Sequence, residues 1–285
     1  MVSSFTQEAL EKVVLESFLT EIRALKPGNV SRFAEGHGMT LTDFRKSAEL
    51  VTPLLCDPHL SLGERILASA RVTMQQVGCN TNLGMILLFA PLIKAAQVIK
   101  TPDINQLQRE VTKQLELVEA ADAQRVFKAI LTADPGGLGN VAEYDVHLMP
   151  QCTLWQAMEA ASHRDSIANQ YVNGFTDVID AASFTIKKYY ERWKSVEWAA
   201  VACYLNLLSR IADSHIIRKF GRKTAEQIKE KAITVFEQFD NYDNPAEATD
   251  LLMVFDRELK DTNINPGTTA DLTAASLLVF GLQSL

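Results

Sequence analysis

Two acidic residues stand where chemistry could be done. Asp213 lies in Ser209-Arg210-Ile211-Ala212-Asp213-Ser214-His215-Ile216-Ile217-Arg218-Lys219, one carboxylate among three fixed cations, directly after a strongly apolar pattern. Asp271 closes Asn263-Ile264-Asn265-Pro266-Gly267-Thr268-Thr269-Ala270-Asp271, a Gly-Thr-Thr turn that opens the apolar run Leu272 to Leu282. A third stretch, Gly78-Cys79-Asn80-Thr81-Asn82-Leu83-Gly84, precedes Met85 to Ile93, the most apolar segment of the chain. A helix N-terminus leaves backbone N–H groups unpaired and carries partial positive charge, so a buried one is either capped by side chains or holds an anion. Two apolar helices opening with Asn, Thr and Gly beside an Arg-rich turn would supply convergent donors for a polyphosphate, with Arg210, Arg218 and Lys219 balancing its charge. Each feature also has a plainer reading. Asp213 can pair with Arg210 or Arg218, Thr81 and Asn82 can cap their helix, and Thr268 with Asp271 has capping-box spacing.

The elements that must carry these residues read as helices throughout. Phe5, Ala9, Val13, Leu15, Phe18, Ile22 and Leu25 form one helix face that Pro27-Gly28 stops. The stretch from Gly28 to Met39, which includes Arg32 and His37, has three glycines and no sustained period and reads as a loop. Thr40 with Asp43, Ser61 with Glu64, Thr153 with Gln156 and Thr224 with Gln227 have capping-box spacing. Thr101-Pro102 and Asn244-Pro245 mark two more helix starts. From Arg164 to about Tyr189 the apolar period continues through Gly174, and Val196 to Ile211 forms a second strongly apolar helix. No period-two alternation and no internal repeat is present. The pattern predicts an all-α fold, one multi-helix globular domain over 1–285 with about ten to twelve helices.

Composition narrows the function classes. The 285 residues are 47% hydrophobic and 22% charged, which suits a soluble globular protein with a sizeable core. A net charge of -7 argues against a broad nucleic-acid-binding surface. The apolar run 85–93 is far shorter than the roughly 20 residues of a membrane span, and residues 1–25 lack the continuous apolar stretch of a secretory signal. Cys56, Cys79, Cys152 and Cys203 form no CxxC pair, so a cytoplasmic protein without a zinc site or disulfide framework is expected. Gly136-Gly137-Leu138-Gly139 follows no strand and is a poor dinucleotide fingerprint. The five histidines show no metal-ligand spacing; His37 is the one placed in a long polar loop. Trp155, Trp193 and Trp198 read as core residues.

Lys26-Pro27-Gly28-Asn29-Val30, Gly78-Cys79-Asn80-Thr81-Asn82-Leu83-Gly84, Ala212-Asp213-Ser214-His215 and Pro266-Gly267-Thr268-Thr269-Ala270-Asp271-Leu272 together resemble the triphosphoribosyl-dephospho-CoA synthase family. The likeness runs across nearly the whole chain. With the Pro135-Gly136-Gly137-Leu138-Gly139 loop and Arg164-Asp165, it is similar to the branch found in archaea and methylotrophic bacteria. Where the best-characterised members resemble Asn-Thr-His-Lys-Gly, this chain has Asn80-Thr81-Asn82-Leu83-Gly84.

The resemblance implies an all-α enzyme that moves a triphosphoribosyl group from ATP to dephospho-CoA and releases adenine. Two alternatives stand beside it: a nucleotide-dependent step toward a methanopterin-type C1-carrier cofactor, and a nucleotide-binding relative without turnover. Breaking the ribose C1 bond to adenine builds oxocarbenium-like charge that one carboxylate can steady while another takes the acceptor's proton. Asp213 and Asp271 are the candidates for these roles and for holding Mg2+. Lys26, Gly28, Asn29, Arg32 and His37 would bind substrate from the first loop, and Asn80, Thr81, Asn82 and Gly84 from the second. Arg210, Ser214, Arg218 and Lys219, with Gly267, Thr268 and Thr269, would complete the polyphosphate site. ATP and a cofactor-precursor small molecule are the expected partners.

Overall fold

A computed structural model of the protein describes residues 5–30, 40–135 and 152–285. Among them the chain is helical and contains no strand. The first half forms α1 (Gln7–Arg23), α2 (Leu41–Cys56), α3 (Leu62–Gln76), α4 (Leu83–Ala96), α5 (Ile104–Glu116) and α6 (Ala120–Ala133). The second forms α7 (Leu154–Ser162), α8 (Ser166–Asn173), α9 (Thr176–Asp180), α10 (Lys187–Trp193), α11 (Val196–Arg210), α12 (Ser214–Phe220), α13 (Arg222–Asp240), α14 (Thr249–Asp261) and α15 (Gly267–Leu282). A π-helical turn, Ala181–Ile186, joins α9 to α10 without a break. These two therefore make one rod, and the described residues form fourteen α-helices rather than ten to twelve.

The most apolar segments lie at the centre. Along α4 every residue from Met85 to Ile93 is buried, as are most of α11 and α15. The outer helices are amphipathic and turn one stripe inward, α5 through Leu107, Val111 and Leu115. Pro91 sits inside α4 and cannot donate to the Leu87 carbonyl four residues earlier. The Tyr171 hydroxyl donates to that carbonyl at 2.6 Å instead, so the buried helix continues with its backbone satisfied. α15 packs against α1, α4 and α11, which makes its first turn a meeting point for several loops.

Helix starts depend on local chemistry. Thr40/Asp43, Ser61/Glu64 and Thr153/Gln156 form complete capping boxes. Asn244 caps the short 3-10 turn Pro245–Ala248 through the Ala246 N–H. Thr224 does not cap: α13 starts at Arg222 after Gly221, whose φ of 85° ends α12, and the Thr224 hydroxyl donates back to the Phe220 carbonyl. α5 is capped by Asp103 rather than Thr101. The apolar period from Arg164 to Tyr189 spans two elements. Gly174 (φ 68°) and Phe175 (φ 59°) both adopt left-handed backbone, and this ends α8 before α9 begins. Burial of Phe175 in the core continues the apolar pattern across the break.

Candidate active site

Three helix N-termini meet around Asp213. It is the N-cap of α12, 1% exposed, and its Oδ1 accepts from the Ile216 N–H at 3.0 Å. Its Oδ2 accepts from the Thr269 N–H at 2.7 Å and the Thr269 hydroxyl at 2.8 Å. The carboxylate thus straps the first turn of α12 to that of α15. Beside it the Ser214 hydroxyl donates to Thr268 Oγ1 at 3.0 Å and accepts from the Ser166 N–H, at the start of α8, at 3.2 Å. Asp165 caps α8 through Ile167 and Ala168, and its other oxygen faces Arg218 at 3.5 Å. Asp213 forms no ion pair with Arg210 or Arg218 among the described residues, so the surface salt bridge is not its role. Burial pushes its carboxyl up, and the Thr269 and Ile216 donors work against that shift.

Asp271 lies one turn further into α15 and has different surroundings. It keeps partial solvent exposure and accepts no hydrogen bond among the described residues. Its carboxyl lies against Gly84 at the start of α4: a Cβ there would be 2.0 Å from Oδ2 and 2.9 Å from Ile167 Cδ1 of α8. The missing side chain at Gly84 is what lets α4, α8 and α15 close around this carboxyl. Burial holds Asp271 well above the usual carboxylate range, reinforced by the negative charges of Glu21, Asp213 and Asp165 and opposed by Arg218. Thr268 and Asp271 do not form a capping box, because α15 begins after Pro266 with no side-chain cap.

The Lys26-Pro27-Gly28-Asn29 turn is clamped from three directions. Gly28 has φ 80°, and its N–H donates to Asp256 Oδ1 of α14 at 2.8 Å. The Tyr204 hydroxyl of α11 donates to the Pro27 carbonyl at 2.6 Å, and Asn29 Nδ2 donates to Asn265 Oδ1 at 2.8 Å. That last bond ties Asn29 to the loop leading into α15. Lys26 is 0% exposed; its Nζ contacts Glu21 Oε1 at 3.1 Å and donates to the carbonyls of Glu21 at 2.7 Å and Val30 at 3.0 Å. These contacts use the three ammonium protons, which makes Lys26 a brace of the turn rather than an open cation. Arg32 and His37 lie outside the described residues, as does the glycine loop at 136–139.

At the start of α4, Asn80 rather than Asn82 supplies the side-chain cap, Oδ1 accepting from the Leu83 N–H at 3.1 Å. Thr81 donates to Ser47 Oγ of α2 at 2.8 Å. Asn82 Oδ1 accepts from the Thr73 hydroxyl of α3 at 3.3 Å, while its Nδ2 has no partner. Gly267 is approached by the His215 imidazole, with Nδ1 3.0 Å from a Cβ placed there. Arg210 and Lys219 are exposed, and neither forms an ion pair among the described residues.

The motifs therefore converge, with unequal roles. Asp213, Ser214, Thr268, Thr269 and Arg218 form one cluster; Gly84 joins it through Asp271, and Asn29 joins through Asn265. Asn80 and Thr81 brace the second loop against its own helix and α2. Glu21 and Asp256 were invisible to spacing arguments, since each is one acid on an amphipathic helix; Glu21 differs only in falling five residues before a lysine that the Pro27 turn folds back onto it. No trio of His, Cys, Asp or Glu able to hold a metal ion occurs among the described residues.

The family model of the CitG family, described as ATP:dephospho-CoA triphosphoribosyl transferase, matches residues 7–285. A comparison with curated proteins gave no match. Among solved structures, the chain shares its fold with a crystal structure from Archaeoglobus fulgidus provisionally assigned as a triphosphoribosyl-dephospho-CoA synthase. That pair has a TM-score of 0.63 and 24% identity, covering 82% of this chain and 96% of the other. With a model spanning almost its full length and a shared all-α architecture, the chain belongs to the CitG family of ATP:dephospho-CoA triphosphoribosyl transferases.

Proposed function

We propose that the chain transfers the 5-triphosphoribosyl group of ATP to dephospho-CoA, releasing adenine, with Asp271 at the anomeric carbon. The observation that carries this reading is the contrast between the two acids of the site. Asp213 spends both oxygens on protein donors, whereas Asp271 has none among the described residues and lies on Gly84 where α4, α8 and α15 meet. As the C1–N9 bond breaks, its electron pair leaves with adenine and positive charge develops on the ribose. An acidic cluster of Asp271 with Glu21, Asp213 and Asp165 stabilises that charge. The acceptor hydroxyl oxygen then bonds to C1, Asp271 is placed to receive its proton, and the departing base takes up one proton in turn, so adenine leaves neutral and the carboxylate is restored.

The triphosphate is assigned to the rim formed by Ser214, Thr268 and Arg218, with Arg210 and Lys219 as outer cations. Asp213, Lys26 and Asn29 act by holding the loops in register. Asp213 is unsuited to bind magnesium, because Thr269 and Ile216 occupy its oxygens. Asp271 alone does not make a protein-held site. Magnesium fits better as an ion carried on the triphosphate, where phosphate oxygens are its main ligands. Among the described residues no helix is long and apolar enough to cross a membrane. Free thiols at all four cysteines support a reducing compartment such as the cytoplasm.

The test is incubation with ATP, magnesium and dephospho-CoA, followed by chromatography for adenine and for the triphosphoribosylated product. Adenine formed in step with that product supports the reading. Adenine formed only with a different cofactor precursor would move the acceptor, and no adenine with any acceptor would end it.

A further inference from the structure

Asn82 carries a feature that the roles above leave unused. Its side chain is 3% exposed, yet Nδ2 has no hydrogen-bond partner. The Thr73 hydroxyl donates to Oδ1 at 3.3 Å and fixes the plane of the amide. Either orientation of that amide leaves one end unpaired, and an unsatisfied buried amide is costly enough to call for a ligand. Asn80 supplies the local cap, so Asn82 is not needed for that task. Two residues on, Gly84 bears the Asp271 carboxyl.

Ligand chemistry follows from these neighbours. A phosphate beside Asp271, with Asp165 and Glu21 adding negative charge, would be repelled. A neutral group that both donates and accepts hydrogen bonds would not be. A carboxamide offers one acceptor and one donor side by side, which match the 6-amino group of adenine and the ring nitrogen next to it. Resting on the proposed reaction, we propose that Asn82 reads the adenine of ATP, its Oδ1 accepting from the 6-amino group and its Nδ2 donating to the adjacent ring nitrogen. Oδ1 retains a lone pair beside the Thr73 contact for this purpose. The arrangement puts the leaving base at the start of α4, two residues before the glycine against which the Asp271 carboxyl lies.

The experiment compares ATP with purine riboside 5′-triphosphate, which lacks only the 6-amino group. The readout is kcat/KM for base release with dephospho-CoA as acceptor. The wild-type chain is expected to prefer ATP by about tenfold or more, the worth of one hydrogen bond into a site built for it. Asn82→Leu, similar in volume and free of the unpaired amide, should bring the two substrates within about twofold of each other. Asn82→Asp keeps an acceptor for the amino group and should retain the preference while losing rate on both. A folded Asn82→Leu that keeps the wild-type preference overturns the inference, because a purely structural Asn82 would alter both rates equally. A wild-type chain that releases no base from either nucleotide refutes the reaction itself, which is a separate outcome.

Discussion

The Asp271 carboxyl lies so close over Gly84 that a methyl group on that glycine would sit 2.0 Å from Oδ2 and 2.4 Å from Cγ. Two residues 187 positions apart by number are thus fitted to each other, one by lacking a side chain and the other by pressing a charge-bearing one into the space. Gly84→Ala is expected to push Asp271 away from its position. Overpacking of this kind costs about 1–3 kcal/mol of stability, whereas misplacing a reacting group by an ångström costs on the order of a hundredfold in rate. Thermal melts beside adenine-release rates check both, and an alanine variant with the parental rate would show that Asp271 need not be held there.

Asp213 and Asp271 should separate cleanly when each is changed to asparagine. In Asp213→Asn an amide group either faces the Thr269 N–H and hydroxyl, donor against donor, or abandons the Ile216 N–H. A loss on the order of 3 kcal/mol follows from leaving buried donors unpaired. Asp271→Asn forfeits no hydrogen bond among the described residues, so its melt should hold while adenine release falls. The pH dependence has a definite sign. Because the folded protein raises the Asp271 pKa, it binds that proton more tightly than the unfolded chain does. Stability therefore declines as pH rises from the ordinary carboxylate value of about 3.9 toward the raised folded value. Asp271→Asn removes this decline, and its melting temperature relative to wild type should climb across that window. Parallel melts at low and neutral pH that show a constant difference would contradict the assignment.

The contrast between these acids shows what could be read from the chain. Apolar periodicity placed the core helices, and capping boxes at Thr40, Ser61 and Thr153 fixed their starts, because both depend on residues within a turn of each other. The break at Gly174 was missed because Phe175 is buried and keeps the apolar period running through a left-handed turn. At the site, the motifs at Gly84 and Gly267 are legible as turns before apolar helices, and those at Gly28 and Asp213 as turns that follow helices. The partners are not: the spacing sets Asp213 against Arg210 and Arg218, its neighbours in the chain, while two of its three donors come from Thr269, 56 residues away. Lys26 was counted as an available cation because nothing near it in sequence announces that Glu21, on the preceding helix, would be buried with it. Long-range pairing of polar groups has no local signature, and that is where the structure adds most.

The Lys26–Glu21 pair makes this testable. Both side chains are almost wholly buried, with Nζ and Oε1 3.1 Å apart. Burial pushes the Lys26 pKa down and the Glu21 pKa up, and each partner offsets the shift of the other. Lys26→Met should leave Glu21 buried without its cation and cost about 3–5 kcal/mol. The double variant Glu21→Gln/Lys26→Met removes both charges and should recover much of that loss in a urea titration. Were Lys26 instead an open triphosphate ligand, Lys26→Met would melt near the parental temperature and chiefly raise the ATP requirement.

Arg210 and Lys219 provide the complementary case, since both are exposed and have no ion pair among the described residues. Removing either should change stability by no more than about 0.5 kcal/mol. If the triphosphate lies along the rim at Ser214 and Thr268, each cation contributes to its attraction through solvent, and the contribution must weaken with salt. Arg210→Ala and Lys219→Ala are accordingly expected to raise the KM for ATP by about two- to fivefold at low ionic strength, with kcat nearly unchanged, because the interaction is the same in ground and transition states. Raising the salt should bring wild type and variants together. Initial rates over a range of ATP concentrations at two ionic strengths measure this directly. A KM that is unaltered in both variants at low salt would place the triphosphate elsewhere, away from the α11–α12 turn, whereas a fall in kcat with KM unchanged would give these residues a part in the chemical step.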